Sequence, residues 1–176
     1  MCGIVGYVGE KQAANFLIDG LTKLEYRGYD SAGIAVFDGE KINVAKSVGR
    51  LAALKEKIKN NTPEGVMGIG HTRWATHGRP SDVNSHPHTD CSGKFAIVHN
   101  GIIENFMSLK EELIAKGHKF VSETDTEVVA HLIEDVYEGD FVEAVNKVLN
   151  RIEGSYSLAF MCQDYPDTLI CTKKDN

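Results

Sequence analysis

The sequence has no basic excess, no long apolar run and no paired cysteine motif, and each absence closes off a class of function. Lys and Arg number 19 against 25 Asp and Glu, a net charge of -6. Nothing in that balance draws the chain to phosphate backbones or anionic lipid, so neither a nucleic-acid nor a membrane partner is expected. A charge interrupts every apolar stretch well short of the roughly 18 residues that cross a bilayer, and the first residues carry no basic segment of the kind that opens a signal peptide. The four cysteines, Cys2, Cys91, Cys162 and Cys171, lie far apart, which fits a reducing compartment better than a disulfide framework. Together these features read as a cytoplasmic chain. There is no internal repeat or low-complexity segment, and 176 residues suffice for one domain that buries about two-thirds of its unfolded surface.

What is present is apolar spacing of two periods. Residues 2–8 carry no charge and predict a buried first strand, whereas Leu17, Ile18, Leu21 and Leu24 recur at helical spacing. A polar, glycine-bearing loop leads into the apolar run ending at Phe37. Asp38-Gly39 then predicts a tight hairpin into INVAKS. Leu51, Leu54 and Ile58 mark a short helix, and VMGIGH a strand that enters a long loop from Thr72 to Ser92. FAIVH predicts a strand, Asn100-Gly101 a turn after it, and Phe106, Leu109 and Leu113 a helix. SETDTEV predicts a helix start, with Thr124 and Glu127 at capping-box spacing and Val128, Leu132 and Val136 as the apolar face. Val145, Val148 and Leu149 add a helix, and YSLAFMC and TLICT two strands. Strands grouped with strands and helices with helices predict an α+β, layered fold.

Four stretches carry chemistry. Once Met1 is removed, Cys2 bears a thiol and a free α-amine, whose pKa of about 7.7 to 8.0 lets it take the thiol proton. Read blandly, Cys2 is a small buried hydrophobe. A nucleophile attacking an amide needs an oxyanion hole, and the Asn100 side-chain amide with the Gly101 N–H offers one, although NG is otherwise a common turn. The planar fork of Arg73 suits a carboxylate, next to the sole tryptophan, Trp74. Asp125 reads equally as an acid favoured by a helix N-terminus.

With CGIVGY, EYRGYDSAG, HTRWATHG, NGIIEN and SETDTEV in this order, the sequence resembles the glutaminase domain of class II, N-terminal-nucleophile glutamine amidotransferases, and most closely the branch that makes glucosamine 6-phosphate. The resemblance implies the four-layer αββα sandwich of N-terminal-nucleophile hydrolases and hydrolysis of L-glutamine through a Cys2 thioester, with no cofactor and no metal. It implies Asn100 and Gly101 as oxyanion donors, Arg73 on the α-carboxylate and Asp125 on the α-ammonium group. Thr76 and His77 share the glutamine-binding loop, Trp74 helps close the site, and Arg27 matches an arginine near the nucleophile. Residues 1–176 are then expected to form a glutaminase domain shortened at its C-terminal end. Fructose 6-phosphate would be met only through a sugar isomerase domain that this sequence does not contain, and the full-length enzyme is expected to be a homo-oligomer.

Three alternatives stay open at this level. One is the glutaminase domain of an amidophosphoribosyltransferase. Another is a metal-binding module, since HPHTDC places His86, His88 and Cys91 together with His71, His77 and His99 elsewhere. The third is a domain that has lost catalysis and serves regulation or packing.

Overall fold

Alternation along the strands sorts side chains onto two faces, and the strands use both. In the computed structural model, which describes residues 2–74 and 78–176, two antiparallel four-stranded sheets stack face to face. The first has the order β1 (Gly3–Val8), β4 (Met67–Arg73), β2 (Ser31–Phe37), β3 (Ile42–Val48). The second runs β5 (His88–Thr89), β6 (Phe95–Ile103), β7 (Gly154–Cys162), β8 (Leu169–Lys174). On β2, Ile34 and Val36 face helices α1 (Ala13–Leu24) and α2 (Leu51–Ile58), while Ala35 and Phe37 face the second sheet. On β6, Phe95 and Ile97 face α3 (Phe106–Ala115), α4 (Glu127–Val136) and α5 (Phe141–Leu149), while Ala96 and Val98 face inward. The result is the expected αββα sandwich.

The layer between the sheets mixes small and mid-sized apolar side chains, Ala35, Ala96 and Ala159 beside Met67, Ile69, Val98 and Met161, with Phe37 at its margin. A buried Ile or Met of this kind is worth about 2–5 kcal/mol against Ala. Among the described residues no helix is long and apolar enough to cross a membrane.

Two local expectations are corrected. Asn100 and Gly101 do not form a turn: β6 runs straight through them, opposite Ser157 and Tyr156 of β7. Gly101 alone accommodates this, since φ is +121° and a Cβ would fall 2.1 Å from the Ser155 carbonyl oxygen. The capping box does not close either. Thr126 holds the N-cap position, but its side chain caps no helical N–H, and Glu127, the first helical residue, receives the Val121 and Ser122 N–H groups at 2.8 and 2.7 Å. The hairpin at Asp38 forms as predicted; its carboxylate accepts the Glu40 and Lys41 N–H groups, both at 2.8 Å, which holds its pKa at about 2.

Candidate active site

The inward faces that are apolar in the middle of the sandwich become polar at one end. Ile4 on β1, Ile69 on β4, Val98 on β6 and Ala159 on β7 all pack into the inter-sheet layer. Two residues further along each strand on the same face stand Cys2, His71, Asn100 and Ser157, followed on β4 by Arg73. Antiparallel register brings these positions to one edge, as in the pairing of Val98 with Ala159 and Asn100 with Ser157. A cleft of about 450 Å³ opens there, with Cys2, Arg73, Asn100, Gly101 and Asp125 in its walls.

Cys2 is held by backbone. The Trp74 N–H donates to its Sγ at 3.2 Å, and the thiol reaches the Trp74 carbonyl at 3.6 Å. Burial pushes the thiol pKa up, and the Trp74 N–H and the Arg73 charge only partly oppose it. The resting group is therefore a neutral thiol that needs a base to become a nucleophile. Trp74 can come this close because Gly28 lies against the Arg73–Trp74 peptide, where a Cβ would sit 2.6 Å from the Arg73 carbonyl carbon. The Trp74 ring is about half exposed and meets the edge of Tyr29 at 5.3 Å.

His71, which the sequence reading treated only as part of a metal alternative, fixes the orientation of Asn100. Its Nε2 lies 3.0 Å from the His99 carbonyl and 2.8 Å from Asn100 Oδ1. A carbonyl only accepts, so Nε2 carries the proton and the Asn100 atom facing it is the oxygen. The Asn100 amide nitrogen therefore faces Cys2 and donates to its carbonyl at 3.1 Å. Burial drives the His71 pKa down to about 4, so the ring stays neutral. No spacing rule reveals this partnership, because it is made between strands of different sheets.

Arg73 is buried, with Nη2 donating to the Gly78 carbonyl at 2.9 Å. Asp125 is also buried and stands before α4 rather than in its first turn; its Oδ2 accepts the Ile103 N–H at 2.8 Å. That bond fastens the approach to α4 onto the end of β6. Arg27, half-buried at the cleft mouth, donates from Nε to the Tyr26 hydroxyl at 3.1 Å. Thr76 and His77 lie outside the described residues.

The HPHTDC residues do not converge on one point. His86 Nε2 and His99 Nδ1 each meet the Thr126 hydroxyl at 2.9 Å, and His88 Nε2 meets the Thr124 hydroxyl at 3.0 Å. Burial holds His86 and His88 well below the ordinary histidine pKa. Cys91 lies apart from them, 3.6 Å from His131 Nδ1.

Comparison with known proteins identifies the family of the chain. A family model described as a glutamine amidotransferase domain matches residues 71–174. The glutamine–fructose-6-phosphate aminotransferase (isomerizing) of Caldanaerobacter subterraneus subsp. tengcongensis is 60% identical over 99% of this chain, and that of Thermococcus kodakarensis 53% identical over all of it. The chain spans about 29% and 30% of the length of these two relatives. Among solved structures, the glutamine phosphoribosylpyrophosphate amidotransferase of B. subtilis, complexed with ADP and GMP, superposes with a TM-score of 0.80 at 30% identity. That match covers 93% of this chain and 35% of the other. A class II glutamine aminotransferase domain protein from Silicibacter pomeroyi shares the fold at a TM-score of 0.58 and 16% identity. A family match over more than half of its length, on a sandwich whose polar end is headed by Cys2, makes this chain a member of the glutamine amidotransferase domain family.

Proposed function

We propose that the chain hydrolyses the side-chain amide of L-glutamine, with Cys2 as nucleophile. The observation that carries this reading is the placement of Cys2 at the open end of the inter-sheet layer, its thiol held by the Trp74 N–H and its carbonyl by the Asn100 side-chain amide. With Met1 removed, the Cys2 α-amine takes the thiol proton and Sγ attacks the carboxamide carbon. The second N–H of the Asn100 amide, with the Gly101 N–H, stabilises the oxyanion; one such donor is worth about 10²–10³ in rate. The protonated amine then gives its proton to the departing nitrogen, which leaves as ammonia. Water, deprotonated by the same amine, cleaves the thioester to glutamate and regenerates the thiol.

Arg73 and Asp125 would clamp the α-carboxylate and α-ammonium group, with Thr76 and His77 completing the loop, Trp74 closing over it and Arg27 at the mouth. In a longer protein of the relatives' size, the ammonia would pass to fructose 6-phosphate on an isomerase domain, in a cytoplasmic homo-oligomer. The 60% identity to a fructose-6-phosphate enzyme, against 30% to the phosphoribosylpyrophosphate enzyme, favours that acceptor.

The test is covalent labelling with a glutamine analogue bearing a diazoketone in place of the carboxamide. Cys2 should be labelled alone, in molecules whose intact mass shows Met1 missing, and Cys2→Ala should abolish both labelling and ammonia release. Labelling at Cys91, or full activity in protein that uniformly keeps Met1, would overturn the assignment.

A further inference from the structure

Away from the cleft, four side chains from three separate segments converge. Cys91 comes from the turn between β5 and β6, His118 from the stretch after α3, and His131 and Glu134 from successive turns of α4. One potential ligand atom from each lies within 4.8 Å of all the others. We infer that Cys91, His118, His131 and Glu134 form a structural binding site for a tetrahedral divalent transition metal, with zinc as the best fit to the donor set.

The distances support a common centre. Zinc–sulfur and zinc–nitrogen bonds of about 2.3 and 2.0–2.1 Å place tetrahedral neighbours roughly 3.6 Å apart for S and N, and roughly 3.4 Å for N and O. Cys91 Sγ is 3.6 Å from His131 Nδ1, and His131 Nδ1 is 3.5 Å from Glu134 Oε2. His118 Nδ1 is 2.9 Å from the same carboxylate oxygen, so this edge must open by about half an ångström on metalation. One thiolate, one carboxylate and two neutral imidazoles cancel a 2+ charge. Four protein donors leave no open position, which marks a structural centre rather than a catalytic one.

The surroundings supply a second, independent indication. Metal-bound imidazoles characteristically turn their other nitrogen to a carboxylate. Here His131 Nε2 faces Glu127 Oε1 at 3.6 Å, and His118 Nε2 faces Asp135 Oδ1 at 3.8 Å. The remaining donors are oriented by backbone: the Lys119 N–H points at Cys91 Sγ at 3.3 Å, and the Cys91 N–H at Glu134 Oε2 at 3.2 Å. His131 is buried beneath the Phe120 ring, whereas Cys91 is exposed, so the inner wall is rigid and the outer side gives an ion access. Bound there, an ion would pin α4 to the two segments it packs against, and α4 is the helix whose N-terminal approach carries Asp125 into the cleft.

The test uses the chain purified without chelator, with Zn²⁺ and Co²⁺ as probes. Zinc should be retained near one equivalent. Cobalt should give the thiolate charge-transfer band and the intense visible bands of a tetrahedral centre, both lost in Cys91→Ser and both kept in Cys171→Ser. Wild type and Cys91→Ser should melt together in chelator, which shows that the variant folds. In excess zinc the wild type alone should gain about 5–10 °C. A weak octahedral cobalt spectrum in the wild type, a charge-transfer band that survives Cys91→Ser, or identical zinc shifts in both proteins would each overturn the site.

Discussion

If His71 orients the Asn100 amide, replacing it should impair catalysis without touching substrate. His71→Phe keeps a ring in the same space and removes the Nε2 donor that faces Asn100 Oδ1 at 2.8 Å and the His99 carbonyl at 3.0 Å. A net hydrogen bond of this kind is worth about 1–1.5 kcal/mol, which is roughly tenfold in the balance between the productive and flipped amide. The Asn100 nitrogen keeps its bond to the Cys2 carbonyl, so the amide is loosened rather than lost. The expected result is a fall in kcat of about tenfold with KM little changed, because His71 does not line the cleft.

Asn100→Ala, which removes the proposed oxyanion donor itself, should cost about 10²–10³ in kcat. The double variant distinguishes orientation from an unrelated effect. If His71 acts only through Asn100, His71→Phe/Asn100→Ala should be no slower than Asn100→Ala alone. The assay is glutamate release at saturating glutamine for the four proteins, with Tm measured in parallel to confirm folding. Losses that multiply in the double variant would refute the reasoning, as would an unchanged kcat in His71→Phe.

Two further predictions concern stability. Gly101→Ala should lower Tm by several degrees and remove most activity, since the new Cβ meets the Ser155 carbonyl at 2.1 Å in a backbone conformation that L side chains avoid; an unchanged melting curve would show that β6 relaxes freely. Acid should destabilise the fold before carboxylates titrate. His71 has a folded pKa of about 4 against about 6.5 unfolded, so the unfolded chain takes up the proton first. Its contribution is intact above pH 6.5 and declines as pH falls towards 4, by about 3 kcal/mol in all, with His86 and His88 acting in the same direction. Tm measured from pH 7.5 to 4.5 should fall less steeply in His71→Phe than in wild type, and parallel curves would count against a buried neutral His71.

Much of this was legible in the sequence because period and chemistry agree locally. The apolar run ending at Phe37 is visible before any coordinates, as are the helical repeats, and it is apolar throughout because Ile34 and Val36 meet helices while Ala35 and Phe37 meet the second sheet. Asn100-Gly101 misled because the dipeptide that favours turns also suits a strand that must take a positive φ beside another backbone. The Thr124–Glu127 spacing misled because a rival set of partners captured both residues: Thr124 bonds His88 and Ser122, and Glu127 turns back to Val121 and Ser122. His71 and the Cys91 cluster were hidden for a different reason. Their partners lie 29 and up to 43 residues away in sequence, joined only when sheets stack or when α4 packs beside β5. Cys2, Arg73 and Asp125 were accessible as chemical types in quotable motifs, while what holds them in place was not.

The buried histidines also explain how the cleft stays orderly so close to Arg73. Four polar rings, His71, His86, His88 and His99, occupy the space between the inter-sheet core and the start of α4, with His71 stacked on His86 at 4.2 Å. Lysines or carboxylates in their place would orient neighbours equally well, but each would bring a charge that costs several kcal/mol to desolvate. On the proposed reading, such a charge would also compete with Arg73 and Asp125 for a zwitterionic substrate. Burial keeps His71, His86 and His88 neutral, so they provide directed hydrogen bonds to Asn100, Thr126 and Thr124 with little field of their own. The polar network thus fixes geometry, and on the proposed reading the recognition of charge is left to Arg73 and Asp125 in the cleft wall. That separation makes the acid sensitivity of the fold a consequence of how the cleft is held in shape.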